Sequence, residues 1–169
     1  MEKRNRTVGI FGCGLLGQIV ARGIANGLVP GYRLAGVTDA NASLAQALSA
    51  ETGGAFCANL DELLLQRPDH LVEAAGGGAL KSAALSILQA GADLIPLSIG
   101  AFADEDFLRE VRRTAQENGV RVYLPSGAIG GFDLMRAASL HGRLQAAIAN
   151  DKPPRSLQEA VSYPLPEDR

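Results

Sequence analysis

Residues 7–39 read TVGIFGCGLLGQIVARGIANGLVPGYRLAGVTD, and the order of features along them decides the fold. Val8, Ile10 and Phe11 make a short apolar run, Gly12-Cys13-Gly14-Leu15-Leu16-Gly17 follow at once, and Leu16, Ile19, Val20 and Ile24 then recur at spacings of three and four. The run reads as a buried strand, the G-x-G-x-x-G pattern as a tight turn, and the three-four period as an amphipathic helix. Gly27 and Pro30 stop that helix, and Arg33 to Thr38 forms a second strand that ends on Asp39.

The glycines have separate physical tasks. Gly12 permits the turn out of the strand, Gly14 lets a pyrophosphate approach the backbone, and Gly17 lets the helix pack against the strand. The helix start then aims unpaired N–H groups at the phosphates. Asp39 stands 22 positions after Gly17, where an acid that accepts from the ribose hydroxyls is expected at about 20. Its charge repels a 2′-phosphate, and no Lys or Arg occurs from Ala40 to Ala50, so the pattern favours NAD over NADP. A glycine pattern alone would equally describe a structural turn. Strand, helix and acid in register turn it into a dinucleotide site.

Working outward, Ser43 to Thr52 is a helix capped by Asn41 or Ser43, Ala55 to Cys57 a short strand, and Asp61 to Leu65 one or two helical turns. Leu71 to Ala75 is a buried strand ending in Gly76-Gly77-Gly78. Leu80, Ala84, Ile87 and Leu88 share a helical face that Gly91 closes, and Asp93 to Leu97 leads into Ser98-Ile99-Gly100-Ala101. A helix follows with Asp104, Glu105 and Asp106 in its first turn and Arg112 and Arg113 later, complementing its dipole. Val120 to Leu124 is a sixth strand, before Pro125-Ser126-Gly127-Ala128-Ile129-Gly130-Gly131 and a helix from about Asp133. Alternating strands and helices predict an α/β fold, a Rossmann-type doubly wound parallel sheet in the order 3-2-1-4-5-6. Ligands sit at the carboxyl ends of such strands. Ala75, Gly76 and Ser98 therefore join Gly12, Gly14, Leu15, Leu16, Gly17 and Asp39 as candidate cofactor contacts. The dinucleotide-binding domain is expected over 1–141, and 142–169 as the start of an incomplete substrate domain, with a partly ordered tail.

Hydrophobic residues make up 47% and aromatics 5%, with no Trp, so the core is one of Ala, Leu, Ile and Val. A net charge of −2 argues against nucleic acid, which calls for a basic face. The basic opening Glu2-Lys3-Arg4-Asn5-Arg6 begins like a signal peptide, but the glycine turn breaks the apolar run, so no signal peptide or membrane span is expected. Cys13 and Cys57 lack C-x-x-C spacing, which suits a reducing, cytoplasmic setting with no disulfide framework and no metal site. Cys13 reads as a small buried filler of the turn.

Val72-Glu73-Ala74-Ala75, Leu97-Ser98-Ile99-Gly100-Ala101 and, most specifically, Ser126-Gly127-Ala128-Ile129-Gly130-Gly131 resemble stretches of the L-aspartate dehydrogenase family. With the turn at Gly12, the resemblance covers residues 7 to about 140. It implies NAD(P)-dependent oxidative deamination of L-aspartate to iminoaspartate or oxaloacetate, feeding NAD biosynthesis, and it implies that Ala128 contacts the cofactor. That family's catalytic His and a cofactor-contacting Asn belong to a longer second domain, whose opening Lys152-Pro153-Pro154 resembles. The expectation is a cofactor half, from either a shortened enzyme or a reduced homologue that is a non-catalytic NAD-binding module. Homoserine dehydrogenase and dihydrodipicolinate reductase relatives are the alternatives within the enzyme class.

Amine oxidation needs a proton-handling group beside the reacting carbon, and no residue is assigned that role. His70 falls at the amino end of its strand and is expected to be solvated or capping. His141 is expected about two turns into the last helix. Glu73, a carboxylate within an apolar strand, must be hydrogen-bonded or perturbed, and a satisfied structural role is favoured. Lys81 is expected to be a solvated surface cation. The partners expected are a small amino-acid substrate and a second copy in a homodimer, driven by an apolar patch left where a substrate domain would pack.

Overall fold

The structure, a computed structural model, describes residues 5–126, 132–143, 145 and 147. The chain divides into two compact units, residues 1–128 and 129–169. The first unit runs β1 (Arg6–Phe11), α1 (Leu15–Ala25), β2 (Tyr32–Thr38), α2 (Ala42–Thr52), β3 (Ala55–Phe56), α3 (Leu60–Leu65), β4 (His70–Glu73), α4 (Gly77–Gln89) and β5 (Asp93–Pro96). A 3₁₀ helix (Ile99–Ala103) and α5 (Glu105–Asn118) complete it, and the second unit holds α6 (Phe132–Ser139).

Five strands form one parallel sheet in the order β3-β2-β1-β4-β5. This is the predicted doubly wound order through its first five places. The predicted sixth strand is present as a single parallel bridge, Leu94 to Val122. The Leu94 amide donates to Arg121 O (2.9 Å) and the Tyr123 amide donates to Leu94 O (2.8 Å). Only Val122 of Arg121-Val122-Tyr123-Leu124 is withdrawn from solvent, so the segment has little apolar surface to hold a longer ladder.

Side chains alternate across the strands and build two cores. Val8, Ile10, Val37 and Val72 pack with Ala21, Ile24, Ala45 and Leu48 of α1 and α2. Leu71 and Leu94 pack on the opposite face with Leu63, Leu80, Ile87 and Val111 of α3, α4 and α5. Beyond α1, the first face keeps an open apolar groove of about 680 Å³ between Ile19, Ile24 and Leu28 on one side and Val72, Ile95 and Leu97 on the other.

Register then places the site. Phe11 pairs with Thr38 and with Glu73, and Glu73 pairs with Pro96, so four strands finish on one row. The loops that start at Gly12, Asp39, Ala74 and Leu97 therefore open along the same edge.

Two expectations about histidine need correction. His70 is neither solvated nor a cap: it is 5% exposed. Tyr32 and Tyr123 stand against its ring at 5.6 and 6.3 Å. His141 lies in a bend two residues past the end of α6, exposed, rather than within the helix. Among the described residues no helix is long and apolar enough to cross a membrane.

Candidate functional site

The glycine turn is fixed by contacts that exclude any side chain at two of its three glycines. Gly12 has φ +104°, and a Cβ there would stand 2.5 Å from the Ala74 carbonyl carbon. A Cβ on Gly17 would meet Gly12 O at 1.8 Å, so strand and helix touch backbone to backbone. Gly14 is different, because a Cβ there would meet nothing within 4 Å. It is exposed, and it precedes α1, whose start no side chain caps. The turn therefore leaves space and backbone donors where an anion would sit. Gln18 braces it by donating from Nε2 to Cys13 O (2.9 Å).

Asp39 reaches this turn directly. Its Oδ2 accepts from the Cys13 amide at 2.6 Å, and its Oδ1 accepts from the Asn41 amide at 2.7 Å. Each oxygen retains capacity for a further donor, because a carboxylate offers about four acceptor positions. Cys13 is fully buried, its thiol donating to Thr38 O (3.4 Å). Burial, with a smaller contribution from the Asp39 charge, pushes that thiol up to about 11, so it is an inert thiol at neutral pH.

Across β1 the edge is organised by Glu73, which is completely buried. Its Oε1 accepts from the amides of Ala75 (2.7 Å) and Gly76 (2.8 Å) and from the Ser98 hydroxyl (2.9 Å), and its Oε2 accepts from the Ser98 amide (3.2 Å). One carboxylate thus binds the loop after β4 to the loop after β5. Ala75 and Gly76 are exposed and Ser98 is partly so.

Gly12, Gly14, Leu15, Leu16, Gly17, Asp39, Ala75, Gly76 and Ser98 are accordingly brought to one edge, with Leu15 and Leu16 exposed at the start of α1. Ala128 lies outside the described residues, as does most of the Ser126–Gly131 motif. His70 is three residues before Glu73 on β4, about 10 Å along the strand at ~3.3 Å per residue, on the opposite edge. There its Nδ1 stands 3.3 Å from Asp93 Oδ2 without hydrogen-bond alignment. Lys81 is on the surface as expected, but paired: its Nζ donates to Asp104 Oδ2 at 2.7 Å. Lys81, then the Phe107 amide, hold the Asp104 carboxyl below its ordinary range. Sequence reasoning flagged Glu73 yet missed its bond to Ser98, and it missed the brace from Gln18; the only signal was a carboxylate among apolar neighbours.

The residues fit a dinucleotide by their donors and space: an open Gly14, an uncapped helix start, and a carboxylate at the end of the next strand. Among the described residues no cluster of His, Cys, Asp and Glu is suited to a metal ion.

Comparison with known proteins agrees with this geometry. A family model described as "Homoserine dehydrogenase, NAD binding domain" matches residues 12–125. The L-aspartate dehydrogenase of Methanocaldococcus jannaschii is 33% identical over 154 residues, 91% of this chain and 58% of that protein. L-aspartate dehydrogenase 1 of Bordetella pertussis is 37% identical over 161 residues, 95% of this chain and 60% of that protein. The chain thus spans about three fifths of the length of these relatives. Among solved structures, the WlbA dehydrogenase of Bordetella pertussis, in complex with NADH and UDP-GlcNAcA, superposes with a TM-score of 0.69 at 24% identity over 85% of this chain and 43% of that one, a likeness of fold. The resemblance read from the sequence and its expectation of NAD both stand.

Proposed function

Because this chain belongs to the family described as "Homoserine dehydrogenase, NAD binding domain", we propose that it holds NAD along the carboxyl edge of its sheet as the cofactor-binding part of an L-aspartate dehydrogenase. Gly12 to Gly17 and the start of α1 take the pyrophosphate, and Asp39 takes the hydroxyls of the adenosine ribose. Ala75, Gly76 and Ser98 line the continuation of the groove, and Ala128 joins them by resemblance. When bound, NAD supplies the hydride acceptor for oxidising the carbon that bears the amine. The protein residues bind and orient it, and Asp39 disfavours a 2′-phosphate. The observation that carries this reading is the junction of Asp39 with the Cys13 amide beside the open Gly14. The choice of L-aspartate over homoserine is supported by relatives at 33% and 37% identity that carry that name.

A second reading, a non-catalytic NAD-binding module, is favoured by one observation. His70 is buried on the opposite edge, and Glu73 has every partner inside the protein. General acid–base catalysis supplies about 10²–10⁴-fold, and neither His70, on the opposite edge, nor Glu73, its oxygens held by internal donors, is placed to supply it. The test is calorimetric titration of the 169-residue chain with NAD, run beside NADH production from L-aspartate and from homoserine at alkaline pH. Binding without turnover is expected. Turnover that disappears in His141→Ala would place the chemistry in the second unit and refute the module reading, and absence of NAD binding would refute both.

A further inference from the structure

Asp39 fixes the adenosine end of the dinucleotide on the β2 side of β1. The sheet order then sends the other end across β1 toward β4 and β5, where the next exposed loops carry Gly76 and Ser98. At that point the only side chain with a hydrogen-bonding group on the loop after β5 is Ser98, and its hydroxyl proton is committed. It donates to Glu73 Oε1 at 2.9 Å, while the Ser98 amide donates to Oε2 at 3.2 Å. All four groups around the Glu73 carboxylate donate to it, so toward them it acts only as an acceptor. A hydroxyl whose proton is spent in this way has only lone pairs left to offer. It can receive an N–H from a ligand and repels an oxygen anion.

We propose that Glu73 is a positioning residue that makes Ser98 an acceptor toward the pyridine end of the dinucleotide, selecting its carboxamide over a carboxylate. The inference rests on the NAD-binding reading above and adds the specificity of its second half. Nicotinamide presents an amide N–H₂ to such an acceptor, and a nicotinic acid ring presents a carboxylate.

The experiment titrates the full chain with NAD, nicotinic acid adenine dinucleotide and ADP-ribose, in wild type, Ser98→Ala, Ser98→Thr and Glu73→Gln. Wild type is expected to bind NAD more tightly than the nicotinic acid dinucleotide by about tenfold, the scale of one hydrogen bond gained against one acceptor left facing another. Ser98→Ala should cut that ratio at least fivefold and leave ADP-ribose affinity unchanged, whereas Ser98→Thr, which keeps the hydroxyl, should retain the ratio. Glu73→Gln puts an amide donor opposite the Ser98 amide and should also lower the ratio; if that variant does not fold, the Ser98 pair decides the matter alone. A role confined to packing would weaken all three ligands together and leave the ratio untouched. Binding of ADP-ribose with a wild-type ratio near one, or a Ser98→Ala ratio equal to wild type, overturns this proposal and leaves the NAD site standing. Failure of ADP-ribose and NAD to bind overturns the site and this proposal with it.

Discussion

Replacing Asp39 by Asn keeps the size of the side chain and removes its charge, which separates the two tasks the structure gives it. Oδ2 accepts from the Cys13 amide at 2.6 Å and Oδ1 from the Asn41 amide at 2.7 Å, whereas a carboxamide has one acceptor oxygen. One of the two amides must then face an N–H₂ donor, which costs about 1–3 kcal/mol of stability. For NAD, the ribose hydroxyls lose a charged acceptor worth about 1.5–3 kcal/mol, a weakening of roughly ten- to hundredfold. For NADP the change has the opposite sign. At a separation of about 5 Å and an effective dielectric constant near 20, a carboxylate and one unit of phosphate charge repel by about 3 kcal/mol, which exposure and salt reduce to roughly half. The ratio of the two dissociation constants should therefore move by about two powers of ten, with Ala40→Arg added to the same chain taking it further toward NADP. Calorimetry with both cofactors at fixed ionic strength measures it. A ratio unchanged within about threefold, in a variant whose circular dichroism is native, would refute the assignment of Asp39.

The glycines separate stability from binding. Gly17→Ala drives a methyl against Gly12 O, where 1.8 Å is available, and should prevent native folding as read by thermal melting. Gly14→Val points into open space, so it should melt near wild type and lose NAD binding in calorimetry. Cys13 predicts an alkaline limit. Its thiol is raised from 9.0 to about 11 in the folded chain, so folding holds a proton that the unfolded chain releases. The resulting stability is complete below pH 9 and is lost as pH rises toward 11, amounting to about 3 kcal/mol at ~1.36 kcal/mol per unit. Urea midpoints measured through that range should fall more steeply for wild type than for Cys13→Ala, and parallel curves would exclude Cys13 as the cause.

What could be read in the sequence was what is encoded locally. The turn, α1 and Asp39 lie within 33 consecutive residues, and their spacing alone puts them together. Val120 to Leu124 has strand-like composition, but the length of a ladder depends on buried surface, and of Arg121-Val122-Tyr123-Leu124 only Val122 is partly buried. His70 was misjudged for a related reason. Following Pro68 and Asp69 it looks like an exposed strand start, and nothing nearby reveals that Tyr32 and Tyr123, from distant segments, close over it. Glu73 was legible as a carboxylate in need of partners, but the decisive one is 25 residues away on the next loop. Parallel sheets bring such partners together through crossover connections, whose length hides the pairing from any local pattern.

The two carboxylates at the sheet edge lead to one further expectation. Asp39 directly follows β2 and clasps the turn after β1; Glu73 ends β4 and clasps its own loop and the one after β5. They stand on opposite sides of β1, so they act on opposite halves of a dinucleotide laid across it. ADP-ribose carries only the half beside Asp39. Asp39→Asn should therefore weaken ADP-ribose and NAD by the same factor, whereas Ser98→Ala should weaken NAD alone. In the double variant the two losses should add, because sites without shared partners combine to within about 0.5 kcal/mol. Calorimetry of the four proteins against both ligands measures the coupling directly. An interaction energy above about 1 kcal/mol would mean that the clasps are linked through β1; the row on which Phe11 pairs with both Thr38 and Glu73 would then be the connection to examine.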